Sequence, residues 1–390
     1  MPDRFIYLDH SATTPVDERV IAAMTPYFAE VYGNPASVHR FGRSAEKALE
    51  NSREMIAKVL NCRPHEMVFT SGGSEGDNLA LRGVAYAAKK QGKGTHLITS
   101  PLEHNAVGRT MQQLEDVFGL PTTFLQPDHT GNITPEMLRA AMRDDTVLVS
   151  LMLANNEIGT ILPVAELARV AHEKGAYFHT DAVQAAGQLD LDVQKLGVDL
   201  LSISAHKFYG PKGVGALYVR DGTPLMPAQT GGSHEEGRRS GTHNVPLIVG
   251  MATALEIAYA EHDQWIPQFI ALRDHLIDGV LTTIPDVELT GDRRNRLPSH
   301  ASFVFKHVHG NTLLMHLDMK GIAASSGSAC KTGNPEPSEV LLALGYDREW
   351  AMGGLRLTVG RRTTHADIDD VLEVLPKVIE GVRRFSLASA

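Results

Sequence analysis

An alternation in the first two-thirds of the chain constrains its fold most: short apolar runs, each closed by polar residues, separated by helix-like stretches. The runs are Glu66–Thr70, His96–Thr99, Thr146–Leu153, and residues 176–179, 199–204 and 214–219. Continuous rather than alternating apolar character suits strands buried on both faces. Such strands, interleaved with helices, build a mostly parallel sheet with helices on each side. Helical patterns near Leu79 to Ala88 and from about Pro163 to Lys174 fit that plan. A longer one runs from about Asn244 to Ile284, interrupted near Pro267, and the order then changes. Strand-like pieces at 287–289, 301–305 and 355–359 alternate with helical ones near 311–319, 337–344 and 366–385. The expected class is α/β, with a large domain over 15–255 and a smaller α+β domain made of 1–14 and 256–390.

Composition narrows the function. A length of 390 residues allows about two domains. A net charge of -9 argues against general nucleic-acid binding, and no apolar run reaches membrane-span length. The first residues, Met1-Pro2-Asp3-Arg4-Phe5, lack the pattern of a signal peptide. Two cysteines in 390 residues exclude a disulfide scaffold and suggest a reducing, cytoplasmic setting.

The chemistry sits where the runs end. Ser204-Ala205-His206-Lys207 closes the run at 199–204. A lysine drawn out of water there loses basicity and becomes a nucleophile toward carbonyls, as Schiff-base lysines do. Most lysines are simply solvated, so the reading needs support from His179-Thr180-Asp181-Ala182-Val183-Gln184 after the preceding run. Asp181 can keep a pyridine nitrogen protonated and Gln184 can reach the ring's phenolic oxygen, so the two stretches together suggest pyridoxal phosphate (PLP). Thr70-Ser71-Gly72-Gly73-Ser74-Glu75 opens a helix after a strand. That geometry, with Ser204 and His206, makes a phosphate cup; alone it is an ordinary turn. His104 could stack on the ring and move protons. Asn156, after the 146–153 run, could bind cofactor or substrate carboxylate, and Arg356 could clamp that carboxylate. Arg361 and Arg362 read as surface arginines.

The two cysteines differ. Cys330 lies in Ala323-Ala324-Ser325-Ser326-Gly327-Ser328-Ala329-Cys330-Lys331-Thr332-Gly333, a stretch of small residues that buries little. Exposure and the adjacent Lys331 favour its thiolate. Cys62, near a helix end in Leu60-Asn61-Cys62-Arg63-Pro64, reads as structural.

With Tyr7-Leu8-Asp9, Ala12-Thr13-Thr14-Pro15, Gly33-Asn34-Pro35-Ala36-Ser37, Ala154 to Gly159 and Arg239-Ser240-Gly241-Thr242, these stretches run the length of the chain in one order. The chain resembles the cysteine desulfurases of the class-V aminotransferases, fold-type I PLP enzymes, in the group whose catalytic cysteine lies in a long mobile loop, here about 323–337. The resemblance implies a seven-stranded, mostly parallel sheet in the large domain. It implies PLP covalent on Lys207, with catalytic Lys207, His104 and Cys330. Gly73, Ser74, His104, Asn156, Asp181, Gln184, Ser204 and His206 would hold the cofactor, with Thr242 reaching across a homodimer interface. Asn156, Arg356, Ala12 and Thr13 would bind substrate. The implied reaction takes sulfur from L-cysteine, leaving L-alanine and a Cys330 persulfide for an iron–sulfur scaffold or sulfur carrier. The resemblance also implies a contact between Cys330 and a cluster assembled on that partner. The chain departs from the usual pattern with His10-Ser11 for Asn-Ala, Ser74 for Thr and His234 for Gln. Another PLP aminotransferase, a selenocysteine lyase and a cofactor-free scaffold remain as alternatives.

Overall fold

The computed structural model describes residues 4–326 and 336–388, with side chains through residue 384. Cys330 therefore lies outside the described residues. In chain order the strands are β1 (Ile6–Tyr7), β2 (Met67–Thr70), β3 (His96–Thr99), β4 (Thr122–Phe124), β5 (Thr146–Ser150), β6 (Tyr177–Asp181), β7 (Leu200–Ser204) and β8 (Gly215–Val219). They continue with β9 (Val287–Leu289), β10 (His300–Phe305), β11 (Ile322–Ala323) and β12 (Gly354–Thr358).

Seven strands form one sheet in the order β2-β8-β7-β6-β5-β3-β4. Only β8 runs against its neighbours, pairing antiparallel with both β2 and β7. The expected seven-stranded, mostly parallel sheet is thus observed. Within this sheet the apolar runs account for every strand but β4, which has three half-buried residues and no apolar run to announce it.

The continuous runs follow from burial on both faces. Successive side chains alternate faces. Leu148, Leu200 and Leu217 point into a core with Leu79, Val84, Met111 and Leu114 of the helices Gly73–Gln91 and Asn105–Phe118. Val149, Leu201 and Tyr218 point the other way, against Ile56, Leu60, Met251 and Leu255 of the helices Arg40–Leu60 and Val245–Ala260.

A separate core gathers Ile6 and Leu8 with Phe269, Leu276, Phe303, Leu355, Leu357, Val371 and Leu375. Its antiparallel sheet runs β12-β10-β9, and β1 pairs in parallel with β11. The helices His262–Thr283 and His365–Ala388 cover it. The long helical pattern breaks at Glu261 rather than near Pro267, because Glu261 leaves helical geometry (φ -102, ψ 9) while Pro267 sits within the first two turns of the next helix. There its missing N–H costs one bond only.

Candidate active site

Because β8 is antiparallel to both neighbours, β2, β7, β6, β5 and β3 all end at one edge of the sheet. Ligands of open α/β sheets bind at that edge. There a cavity of about 270 Å³ is lined by Gly73, Ser74, His104, Asn156, Asp181 and Gln184. Ser204, His206, Lys207, Arg356, Ser11, Ala12 and Asp77 also line it.

β7 ends at Ser204, and a single 3-10 turn, Ala205–Lys207, swings the lysine back over the edge. Its Nζ donates to the carbonyls of Ser11 and Ala12, the latter at 2.9 Å. Burial, joined by the positive charge of Arg356, brings its ammonium down to about 8. Asp181, the last residue of β6, is buried, and burial raises its carboxyl above the usual range despite the opposing pull of His104 and Lys207. Its Oδ1 accepts the Val183 N–H at 2.8 Å. Gln184 donates to the Ser11 carbonyl at 2.9 Å.

The helix Gly73–Gln91 begins at the cavity with no side chain capping it at Gly72, so its first N–H groups are free for an anion. Gly73 is required by space: a Cβ there would stand 2.7 Å from Val183 Cγ2. Burial and the nearby Lys207 and Lys212 lower the His206 imidazole to about 4, so it is neutral near pH 7. His104 is exposed and caps the helix Asn105–Phe118, its Nδ1 accepting the Ala106 N–H at 3.1 Å.

Arg356, on β12, pairs with Asp9 at 2.8 Å and donates to the Asn156 carbonyl at 2.8 Å. Its Nε–H finds no partner among the described residues. One expected residue falls elsewhere: the Thr13 hydroxyl meets His206 Nδ1 at 3.2 Å instead of lining the cavity. Thr242, expected to serve the other copy of a dimer, is exposed and outside this chain's cavity. Of the two arginines read as surface groups, Arg361 is not one. It stacks on Tyr209 at 4.3 Å from the ring centre and pairs with Asp17 at 3.1 Å.

The class-V aminotransferase family matches residues 6–371. A cysteine desulfurase IscS from Dictyoglomus turgidum is 49% identical over 98% of this chain and 96% of its own length.

The chain belongs to the class-V aminotransferases, among their cysteine desulfurases.

An IscS from Methanosarcina thermophila is 46% identical over 98% of this chain and 94% of that protein. A solved NifS-like protein superimposes with a TM-score of 0.90 at 38% identity, covering 97% of this chain and all of that one (100%). The structure titled SspA in complex with cysteine has a TM-score of 0.79 at 34% identity, covering 90% and 98%.

The family is PLP-dependent, and the cavity's donor set fits that group. It offers an uncapped helix start for a phosphate, a buried carboxyl without a cation for a ring nitrogen, and a lysine of lowered basicity. The departures from the family pattern leave these groups in place. Ser11 acts through its backbone, and His10 turns Nδ1 to the Thr358 carbonyl at 2.9 Å. His234 accepts weakly from the Gly241 N–H, at 3.4 Å.

Reading the sequence did not single out Asp9, which pairs with Arg356, or Asp77, which lines the cavity. Asp9 lay in the N-terminal motif, before any run that could tie it to Arg356. Cys62 is half-buried and contacts Met67 Sδ at 3.6 Å; burial pushes its thiol up to about 12. A thiol so held does not supply a thiolate at neutral pH. Among the described residues no cluster could hold a metal ion, and no helix is long and apolar enough to cross a membrane.

Proposed function

We propose that this enzyme takes the sulfur of L-cysteine onto Cys330 and releases L-alanine, with PLP held covalently by Lys207. The observation that carries the reading is the Lys207 amine, brought to about 8 and set on one cavity with Asp181 and the free Nε–H of Arg356. PLP, when bound, supplies an electron sink for the pair left at the substrate Cα.

The chain's own groups supply the rest. Arg356 and Asn156 receive the substrate carboxylate. Asp181 holds the ring nitrogen's proton and Gln184 meets the phenolic oxygen. Gly73, Ser74, Ser204 and His206 hold the phosphate, and His104 stacks on the ring. Lys207 removes the Cα proton and returns one later. The Cys330 thiolate attacks the substrate sulfur; the Cβ–S bond breaks, the carbon side keeps the electron pair and is protonated to alanine, and the sulfur stays as a persulfide.

We assign the persulfide's acceptor to the class of iron–sulfur scaffold or sulfur-carrier proteins. A cytoplasmic setting follows from cysteine usage. A homodimer is supported by apolar side chains exposed along one stretch: Ile21, Phe28, Tyr32, Val38 and Phe41. In such a dimer the exposed Thr242 would serve the second copy's phosphate.

The test is incubation with L-cysteine, then mass analysis. The expected result is alanine together with an adduct of one sulfur on Cys330 that a thiol reductant removes. A Cys330→Ser enzyme should keep its cofactor absorbance and lose the adduct. Unchanged sulfide release from Cys330→Ser in the presence of reductant would overturn the assignment.

A further inference from the structure

One buried carboxyl on the cavity has no task in the reaction above. Asp77 lies one turn into the helix Gly73–Gln91, is 1% exposed, and lines the same cavity as Asp181. Its Oδ1 makes no hydrogen bond. Three polar side chains on the adjacent strands β5, β6 and β7 lead up to it. Ser150 Oγ lies 2.8 Å from His179 Nδ1, and His179 Nε2 lies 3.0 Å from Ser202 Oγ. Ser202 in turn lies beside the Asp77 carboxyl and opposes the rise that burial imposes on it.

The charge of this chain is fixed by its chemistry. His179 is fully buried without a carboxylate in hydrogen-bond range, the nearest being Asp77 Oδ1 at 3.7 Å from Nε2, so its ring is neutral. A neutral ring has one N–H. One ring nitrogen therefore donates to one serine hydroxyl and the other accepts from the second, and Ser202 is the neutral group turned to Asp77. The chain thus brings one neutral group to Asp77 and no cation. A carboxylate buried with so little compensation is unfavourable; a carboxylic acid is not. The neighbouring titratable groups reinforce this: Asp181 and Glu103 are both acidic and near enough for their charges to act on Asp77. Glu103 is itself buried, held by the Met152 N–H at 2.9 Å.

We propose that Asp77 is a positioning residue of the cofactor site: a neutral acid, buried on the same cavity as Asp181, that sets how firmly Asp181 holds the proton of the cofactor's ring nitrogen. The inference rests on the PLP reading above. It explains how two buried acids can share one cavity: Asp181 carries charge, and Asp77 keeps its proton.

Two measurements on the holoenzyme test it, neither requiring turnover. In infrared difference spectra at neutral pH, Asp77→Asn should remove the C=O stretch of a protonated carboxylic acid; Glu103 cancels because it is common to both proteins. Loss of a carboxylate stretch instead would overturn the proposal. With cofactor labelled with ¹⁵N in the ring, Asp77→Ala should shift the ring-nitrogen resonance, and cofactor should bind about ten- to a hundredfold more weakly. Asp77→Asn, which keeps a neutral donor, should restore both. An Asp77→Ala enzyme with the wild-type resonance would overturn it. The infrared arm uses only the isosteric variant and decides the question if the alanine variant does not fold. Alanine formation by the wild type is read separately, so failure here leaves the desulfurase reading standing.

Discussion

The cavity acids and Glu235 are equally buried, yet they sit on opposite sides of the carboxylate range. Burial raises Asp77, Glu103 and Asp181, which lack an ion-paired cation. Glu235 is brought down to about 2, burial being outweighed by His243 at 2.5 Å and by the Arg53 guanidinium through two bonds of 2.9 Å. The Phe69 N–H adds a further bond at 3.1 Å. Two positive φ values, 50 at Glu235 and 56 at Glu236, accompany this arrangement. The contrast teaches that burial alone does not decide charge; the partner does. The triad spends its carboxylate inside the protein, on tying the 234–243 loop to β2 and the helix Arg40–Leu60. The cavity withholds a cation from its carboxyls, leaving them for a ligand.

The largest test of this contrast is the cation the cavity does contain. Lys207→Ala should lower desulfuration by roughly 10³-fold, a general acid–base loss, and abolish covalent cofactor absorbance. Near-normal turnover would remove the functional half of the comparison. Glu235→Gln should next destabilise the fold by on the order of 3 kcal/mol, since it leaves buried Arg53 with only the exposed Glu50 as counter-charge, measured by denaturant unfolding. Asp181→Asn should leave the cofactor-free protein as stable or more stable at pH 7 while impairing catalysis.

Acid titration separates the two sites by sign. Glu235 is lowered from 4.5 to about 2, so its stabilisation is present above about 4.5 and lost as pH falls through about 2. Glu235→Gln should remove that acid-side loss. The raised cavity acids bind protons that the unfolded chain has released, so cofactor-free protein should lose stability as pH rises from the carboxylate range. Asp77→Asn should flatten that slope. For Lys207, acylation of the cofactor-free protein should show a midpoint near 8, moving upward in Arg356→Gln, because Arg356 helps to lower it. The smallest effect is expected from Asp9→Asn, which frees Arg356 from its partner: a KM for L-cysteine raised ~threefold, the scale of a single ion pair, with kcat little changed.

Much of this was legible in the sequence, for a physical reason. Lys207, Asp181 and Gly73 follow apolar runs, and the ends of buried parallel strands are where a chain can expose chemistry while keeping its core closed. Asp77 was not legible. It lies inside a helix whose exposed-looking start, Gly73-Ser74-Glu75-Gly76-Asp77-Asn78, reads as polar surface but packs on Ser202; a Cβ at Gly76 would stand 3.1 Å from that hydroxyl. Arg361 was misread because its stacking partners, Tyr209 and Trp265, are distant in sequence. Asp9 was quoted only as part of a motif; its partner on β12 is 347 residues away.

That last separation has a consequence in time. The segment 9–14 is held at both ends of the chain's history. Ser11 and Ala12 receive Lys207, and Thr14 bonds the His206 carbonyl at 3.0 Å. The Ser11 N–H reaches the Thr358 hydroxyl at 2.9 Å, and the Thr358 N–H reaches the Leu8 carbonyl at 2.7 Å. Synthesis makes the first dozen residues at once and β12 almost last. A ribosome-bound chain arrested before Gly354 has its lysine, its phosphate cup and its ring carboxyl, but neither Arg356 nor the anchor for the segment that receives Lys207. Such a chain should take no sulfur from cysteine, and release of the last residues should switch the enzyme on as a whole.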